Sequence, residues 1–183
     1  MLRVAAFSAY LAAWLVLTIA AIAWAIPWRR RLPAVPTRIT VPDLVGMLLQ
    51  GAAAMATTLS MKSGPLRPGT LELAGAPGLA PLAAALFVWA LRSAPDNAGA
   101  ETLTTGGAYA WLRHPIYAAF LAMLVATGLI VSGGVKLIVA VGLYLAGSEL
   151  RIASEEADLA ENFPASYAQY RRRTRWRYLP GLR

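Results

Sequence analysis

Long stretches of this chain carry no charged side chain, and nothing else in it limits the possible folds so strongly. Val4 to Ile26, Leu44 to Met61, Leu73 to Leu91 and Pro115 to Val131 each run for 17 residues or more without a charge, enough to cross a bilayer as helix. Inside lipid every backbone N–H and C=O has to be satisfied within the segment, which makes such stretches helices. A fifth apolar stretch, 135–150, follows Val131-Ser-Gly-Gly134, the tip of a hairpin between two antiparallel helices. The sequence therefore predicts an all-α fold, a polytopic membrane helix bundle. It has about five transmembrane helices (4–26, 44–61, 73–91, 115–131 and 135–150) and a cytoplasmic C-terminal helical tail, all in a single domain over 1–183.

The first stretch has a competing reading. Arg3 precedes it and Ala23-Trp-Ala25 resembles a signal-peptidase site, but the apolar run exceeds the 7–15 residues of a signal sequence. Arg29-Arg-Arg31 directly after it acts as a stop-transfer flank. Arg29 to Asp43 is then a basic, proline-punctuated loop. The second span is rich in small residues, Gly51-Ala-Ala-Ala-Met-Ala56, which let helix backbones approach closely in lipid. A second loop covers Lys62 to Glu72. Gly75, Pro77, Gly78 and Pro81 predict an irregular start to the third span, with regular helix nearer Phe87 and Trp89.

Charge fixes the orientation. Five spans put 13 of the 17 Lys and Arg residues on one side and 4 on the other, so the C-terminus lies in the cytoplasm of a cell inner or plasma membrane. The net charge of +8 follows from basic ends beside anionic lipid and does not call for nucleic acid. Cysteine is absent and histidine occurs once, which leaves no thiolate nucleophile and no ligand set for a metal centre.

That histidine lies in a polar island, Thr105-Gly-Gly-Ala-Tyr-Ala-Trp-Leu-Arg-His-Pro-Ile-Tyr117. Pro115 suits the first turn of a helix, and His114 before it takes the cap position. The backbone N–H groups there are expected to be free for an anion. A second polar cluster is Arg151, Glu155 and Glu156. Folding the chain back about Gly133 and Gly134 sets Arg113 level with Glu155 and Tyr117 level with Arg151. Glu155 lies ~30 Å from Val135 at 1.5 Å per residue, one bilayer core away. Both clusters thus reach the same membrane face. Adjacent helix positions point in different directions, which leaves Glu156 free to face water. Further on, Tyr167 and Tyr170 share a face after Pro164, Arg171 to Arg173 form a lipid-facing charge run, and Trp176 and Tyr178 serve as interfacial anchors.

From about Thr105 to Pro180 the chain resembles the isoprenylcysteine carboxyl methyltransferase and phospholipid methyltransferase superfamily. The resemblance rests on Gly107-Ala-Tyr109 with Arg113-His-Pro-Ile-Tyr117, and on Arg151, Glu155, Glu156, Leu159, Phe163, Tyr167, Tyr170, Arg173 and Pro180. Ala119 and Pro164 stand where that family often has glycine. The resemblance implies an S-adenosylmethionine-dependent methyltransferase whose lipophilic acceptor, a carboxylate, amine or thiol, enters from the bilayer. It assigns the cofactor to Gly107, Tyr109, Leu112, Arg113, His114, Pro115, Tyr117, Glu155 and Glu156. Arg151, a turn deeper than Glu155, is expected to take the catalytic task of steering an anionic acceptor. Two alternatives remain: a nicotinamide-dependent membrane reductase, since sterol reductases have a distantly similar C-terminal region, and a non-catalytic membrane scaffold of the same fold.

Overall fold

The computed structural model describes residues 39–58, 70–93, 103–131 and 134–181, together with the helical residues 15, 16 and 19. The rest of the expected first span, most of the two loops after it and the hairpin-tip residues 132 and 133 lie outside the described residues. Among the described residues the structure is helical throughout, without a strand. It comprises α1 (Val41–Thr58), α2 (Thr70–Ser93), a 3-10 turn (Gly107–Ala110), α3 (Pro115–Val131), α4 (Gly134–Asn162) and α5 (Pro164–Arg173).

Local chemistry sets the boundaries. At the start of α1 the Thr40 N–H and hydroxyl both donate to Asp43 Oδ2, at 2.9 and 2.6 Å, and the Asp43 N–H donates to Thr40 Oγ1 at 3.3 Å. This is a capping box with aspartate in the third position. It moves the helix start back to Val41, so Asp43 belongs to the first turn and not to the preceding loop. α2 is continuous from Thr70 through Pro77 and Pro81, and the irregular start expected there is not found. Its Ala76, Ala80, Ala83, Ala84 and Phe87 are buried against Ala119, Met123 and Ala126 of α3. Close packing of small residues over those same turns offsets the helix bonds that the two prolines cannot make. Pro164 opens α5 at its first turn, with Phe163 at the cap.

α3 is the centre of the bundle. One face packs on α2, and the other meets Ala53 of α1, Tyr144 and Ile152 of α4, and Tyr178 of the tail. A helix enclosed on both faces has to be apolar all round, which α3 is. The Tyr144 hydroxyl donates to the Tyr117 carbonyl at 2.9 Å, tying α3 to α4 near their polar end. α1 packs along α4 through paired glycines. A Cβ at Gly46 would stand 2.7 Å from the Gly147 carbonyl oxygen, and one at Gly147 would stand 2.6 Å from that of Gly46.

Among the described residues, α4 alone is long and apolar enough to cross a membrane by itself. Val41–Thr57, Gly78–Ser93 and Pro115–Ile130 form shorter apolar helices. At 29 residues α4 is about 43 Å long, so its end, from about Glu155 onward, projects beyond a bilayer core of ~30 Å. Large apolar side chains such as Leu48, Val135 and Ile138 stay exposed, as suits a chain that meets lipid.

The glycine contacts yield a prediction of opposite signs. Gly147→Val should destabilise the purified protein by about 1–3 kcal/mol through overpacking. Gly51→Ala, where an added Cβ meets nothing within 4 Å, should stabilise it by about 0.5–1 kcal/mol. Unfolding midpoints in detergent check both, and a loss at Gly51 equal to that at Gly147 would contradict the packing described.

Candidate active site

The polar island is built on the end of α2. Ser93 donates its hydroxyl to the Trp89 carbonyl at 2.7 Å and accepts the Ala108 N–H at 3.0 Å. Gly107 has φ +58°, and a Cβ there would stand 2.1 Å from Ser93 Oγ, so both the backbone and the space require glycine. The 3-10 turn then delivers Arg113 and His114 to the start of α3, both buried. Their N–H groups donate to the carbonyls of Trp176 and Arg177, at 2.9 and 2.8 Å. The sequence left these groups free for an anion. The structure spends them on the returning tail.

The Arg113 side chain is nearly enclosed and serves three partners. Its Nε donates to Glu156 Oε1 at 2.9 Å, and its Nη1 donates to the carbonyls of Thr174 and Arg175, each at 2.9 Å. One guanidinium thereby joins α3, α4 and the tail. Arg177 completes the arrangement, with Nη1 2.6 Å from Glu149 and Nη2 3.3 Å from Glu156. Tyr178 is buried and donates to Glu149 at 2.9 Å, so it packs inside the fold and is not an interfacial anchor. Thr174 Oγ1 donates to the Ala110 carbonyl at 3.2 Å, and the Tyr170 hydroxyl donates to that of Tyr109 at 2.7 Å.

His114 lies between the two glutamates, with Nδ1 3.4 Å from Glu155 and Nε2 3.4 Å from Glu156. Both nitrogens can donate together only in the imidazolium form. Burial opposes that form, but the hydrogen bonds and charges of Glu155 and Glu156 outweigh it and raise the pKa above the usual 6.5. Tyr117 donates its hydroxyl to Glu155. Arg151 lies 3.6 Å from Glu155 and 5.3 Å over the Tyr117 ring, and donates to Gln50 Oε1 at 3.1 Å.

Of the residues singled out in the sequence, Arg113, His114, Tyr117, Arg151, Glu155 and Glu156 form one cluster. The register differs from expectation by one position: Arg113 pairs with Glu156, not Glu155. The exposure is also reversed, because the Glu156 side chain is 8% exposed while Glu155 is 39% exposed. Adjacent helix positions do diverge, but the tail covers Glu156. Gly107, Tyr109, Leu112 and Pro115 stand around the cluster. Gly107 docks on Ser93, Tyr109 offers a carbonyl to Tyr170, Leu112 packs against the apolar cluster of α1, α3 and α4, and Pro115 is fully buried. Sequence reasoning missed Gln50, Glu149 and Arg177. A glutamine inside an apolar span is itself a signal of function, and Gln50 had that signal.

The arrangement has a buried floor (Arg113, Glu156, His114), flanked by the partly buried Arg177, and an open rim, where Glu155 and Arg151 present opposite charges side by side. Such a rim can hold a ligand that carries both a cation and an anion. Because the His114 pKa is raised, its share of stability is complete below pH 6.5 and is lost as the pH rises through the higher folded value. The unfolding temperature of the wild type should therefore fall on that alkaline side, and His114→Gln should flatten the fall. An unchanged slope in the variant would contradict the placement of His114 between two carboxylates.

A comparison with curated proteins finds no match. Residues 81–161, which contain every site residue named from the sequence, match the isoprenylcysteine carboxyl methyltransferase (ICMT) family. That match covers the helices that carry the cluster and a little under half of the chain, and over those residues the protein is similar to the isoprenylcysteine carboxyl methyltransferase family.

Proposed function

We infer that this protein transfers a methyl group from S-adenosylmethionine to a lipophilic acceptor at the cytoplasmic face of the membrane. The family supports methyl transfer. The observation that carries the rest is the joining of Arg113, His114 and Tyr117 with Arg151, Glu155 and Glu156 at one end of α3 and α4. Five spans with the polar end in the cytoplasm agree with the distribution of arginine and lysine. The reductase reading has no comparable support.

The residues fit the methyl donor at the rim. Glu155 is partly exposed, and its carboxylate suits ribose hydroxyls or a sulfonium. Arg151, 28% exposed, suits a carboxylate, either that of the donor or that of an anionic acceptor. When bound, the cofactor supplies a methyl group on a cationic sulfur, for in-line displacement.

The chain's own groups then position and hold. His114 and Tyr117 donate to Glu155 and fix its direction. Gln50 and the Tyr117 ring fix Arg151. The buried floor keeps water from beneath the cluster. A carboxylate acceptor needs no general base, whereas an amine or thiol first has to lose a proton. His114, with a carboxylate at each nitrogen, is a donor and not a base.

Calorimetry on the full chain in detergent tests this directly. S-adenosylmethionine should bind saturably, and Glu155→Ala should weaken it about tenfold or more, the worth of one or two kcal/mol for a hydrogen bond to a charged group. Arg151→Gln should lower methyl transfer from labelled cofactor into membrane lipid at least about tenfold. Absence of saturable binding, or NADPH displacing the cofactor at equal concentration, would overturn the reading.

A further inference from the structure

Two cavities beside the tail belong to no part of the rim. The first, of about 540 Å³, is lined by Arg113, Arg171, Arg172 and Arg175. Among the described residues no carboxylate lines it. Glu156, the carboxylate that pairs with Arg113, is also held by Arg177 and His114. Arg171, Arg172 and Arg175 are exposed, while Arg113 is buried. The Nη2 of Arg113 is buried without a hydrogen-bond partner, although its Nε and Nη1 serve three. A buried guanidinium nitrogen with nothing to donate to is costly unless a ligand completes it.

The second cavity, of about 440 Å³, shares Arg171 and Arg172 with the first and adds Ala160, Pro164, Tyr167 and Ala168. Its lining is mostly apolar, apart from a Tyr167 hydroxyl that is buried and also unpartnered. An arginine-lined cavity that shares Arg171 and Arg172 with a neighbouring, more apolar one matches a molecule with an anionic head and an apolar tail.

The depth agrees. Trp111, two residues before Arg113, is 71% exposed, and exposed tryptophan at the end of a membrane helix marks headgroup level. Guanidinium forks meet the paired oxygens of carboxylates and phosphates alike, and several forks around one cavity suit a phosphate, which has more oxygens to offer than a carboxylate.

We propose that Arg113, Arg171, Arg172 and Arg175 form a phosphate site for the headgroup of an anionic lipid, with α5 and the end of α4 receiving its glycerol and first methylenes. The site lies outside the Glu155–Arg151 rim and needs neither cofactor nor turnover. Its occupancy would fasten the tail, since Arg113 also holds the carbonyls of Thr174 and Arg175.

The test uses the full chain in neutral detergent without cofactor, titrated with dihexanoyl phosphatidic acid, dihexanoyl phosphatidylcholine and inorganic phosphate. Arg172 and Arg175 are exposed, so Arg172→Gln and Arg175→Gln leave the core intact. Arg173 is exposed too but lines neither cavity, so Arg173→Gln removes the same charge without touching the site. The expected result is saturable binding of the phosphatidic acid that falls about tenfold in the Arg172 and Arg175 variants and less than about twofold in the Arg173 variant. Equal losses in all three would mean diffuse charge attraction and overturn the site. Inorganic phosphate or the phosphatidylcholine binding as tightly as phosphatidic acid would overturn the lipid assignment, as would absence of saturable binding.

Discussion

A guanidinium enclosed by protein holds α3, α4 and the tail together. Arg113 stands at the head of α3 and donates to a carboxylate on α4 and to two carbonyls of the tail. Breaking a buried pair by removing one partner costs about 3–5 kcal/mol, because the charge left behind is uncompensated. The site inherits its rigidity from that bond. With Glu156 fixed by Arg113 and Arg177, His114 has one carboxylate below it, and Glu155 on the next helix position is directed to the open side.

The location of the site was legible because charge is expensive in an apolar chain. Arg113, Arg151, Glu155 and Glu156 had to lie at a helix end, and a hairpin between Val131 and Gly134 could bring them only to one face. Counting along two helices predicted their meeting to within a turn. It could not settle which glutamate meets Arg113, since a one-position difference is smaller than the tilt and rotation of packed helices allow. The exposure of Glu155 and burial of Glu156 depended on the tail, which is where the sequence was least informative. The tail is held through the carbonyls of Thr174, Arg175, Trp176 and Arg177, and a carbonyl has no signature in the side-chain alphabet.

Other differences have equally specific causes. The prolines of α2 argued for irregular backbone, but its alanine face packs tightly on α3 over the same turns. Asp43 looked like the end of a loop because it is charged, while its bonds with Thr40 make it part of a cap. Gly107 belonged to a recognisable motif, yet its role against Ser93 needed coordinates to see. Gln50 was visible as a polar residue in an apolar helix, and its hold on Arg151 explains why α1 packs so closely on α4. The family match and the clustering of these groups thus rest on separate observations, one from residues 81–161 as a sequence and one from their positions in space.

The account depends on the rim formed by Glu155 and Arg151 being where a charged sulfur ligand settles, with the floor beneath it unbroken. A cryo-electron microscopy or crystal structure of the full chain with S-adenosylhomocysteine measures this most directly. The account predicts the ligand in contact with Glu155 and Arg151 while Arg113 keeps Glu156 and the tail carbonyls. Ligand density away from the rim, or a ligand that replaces Glu156 as the partner of Arg113, would contradict it.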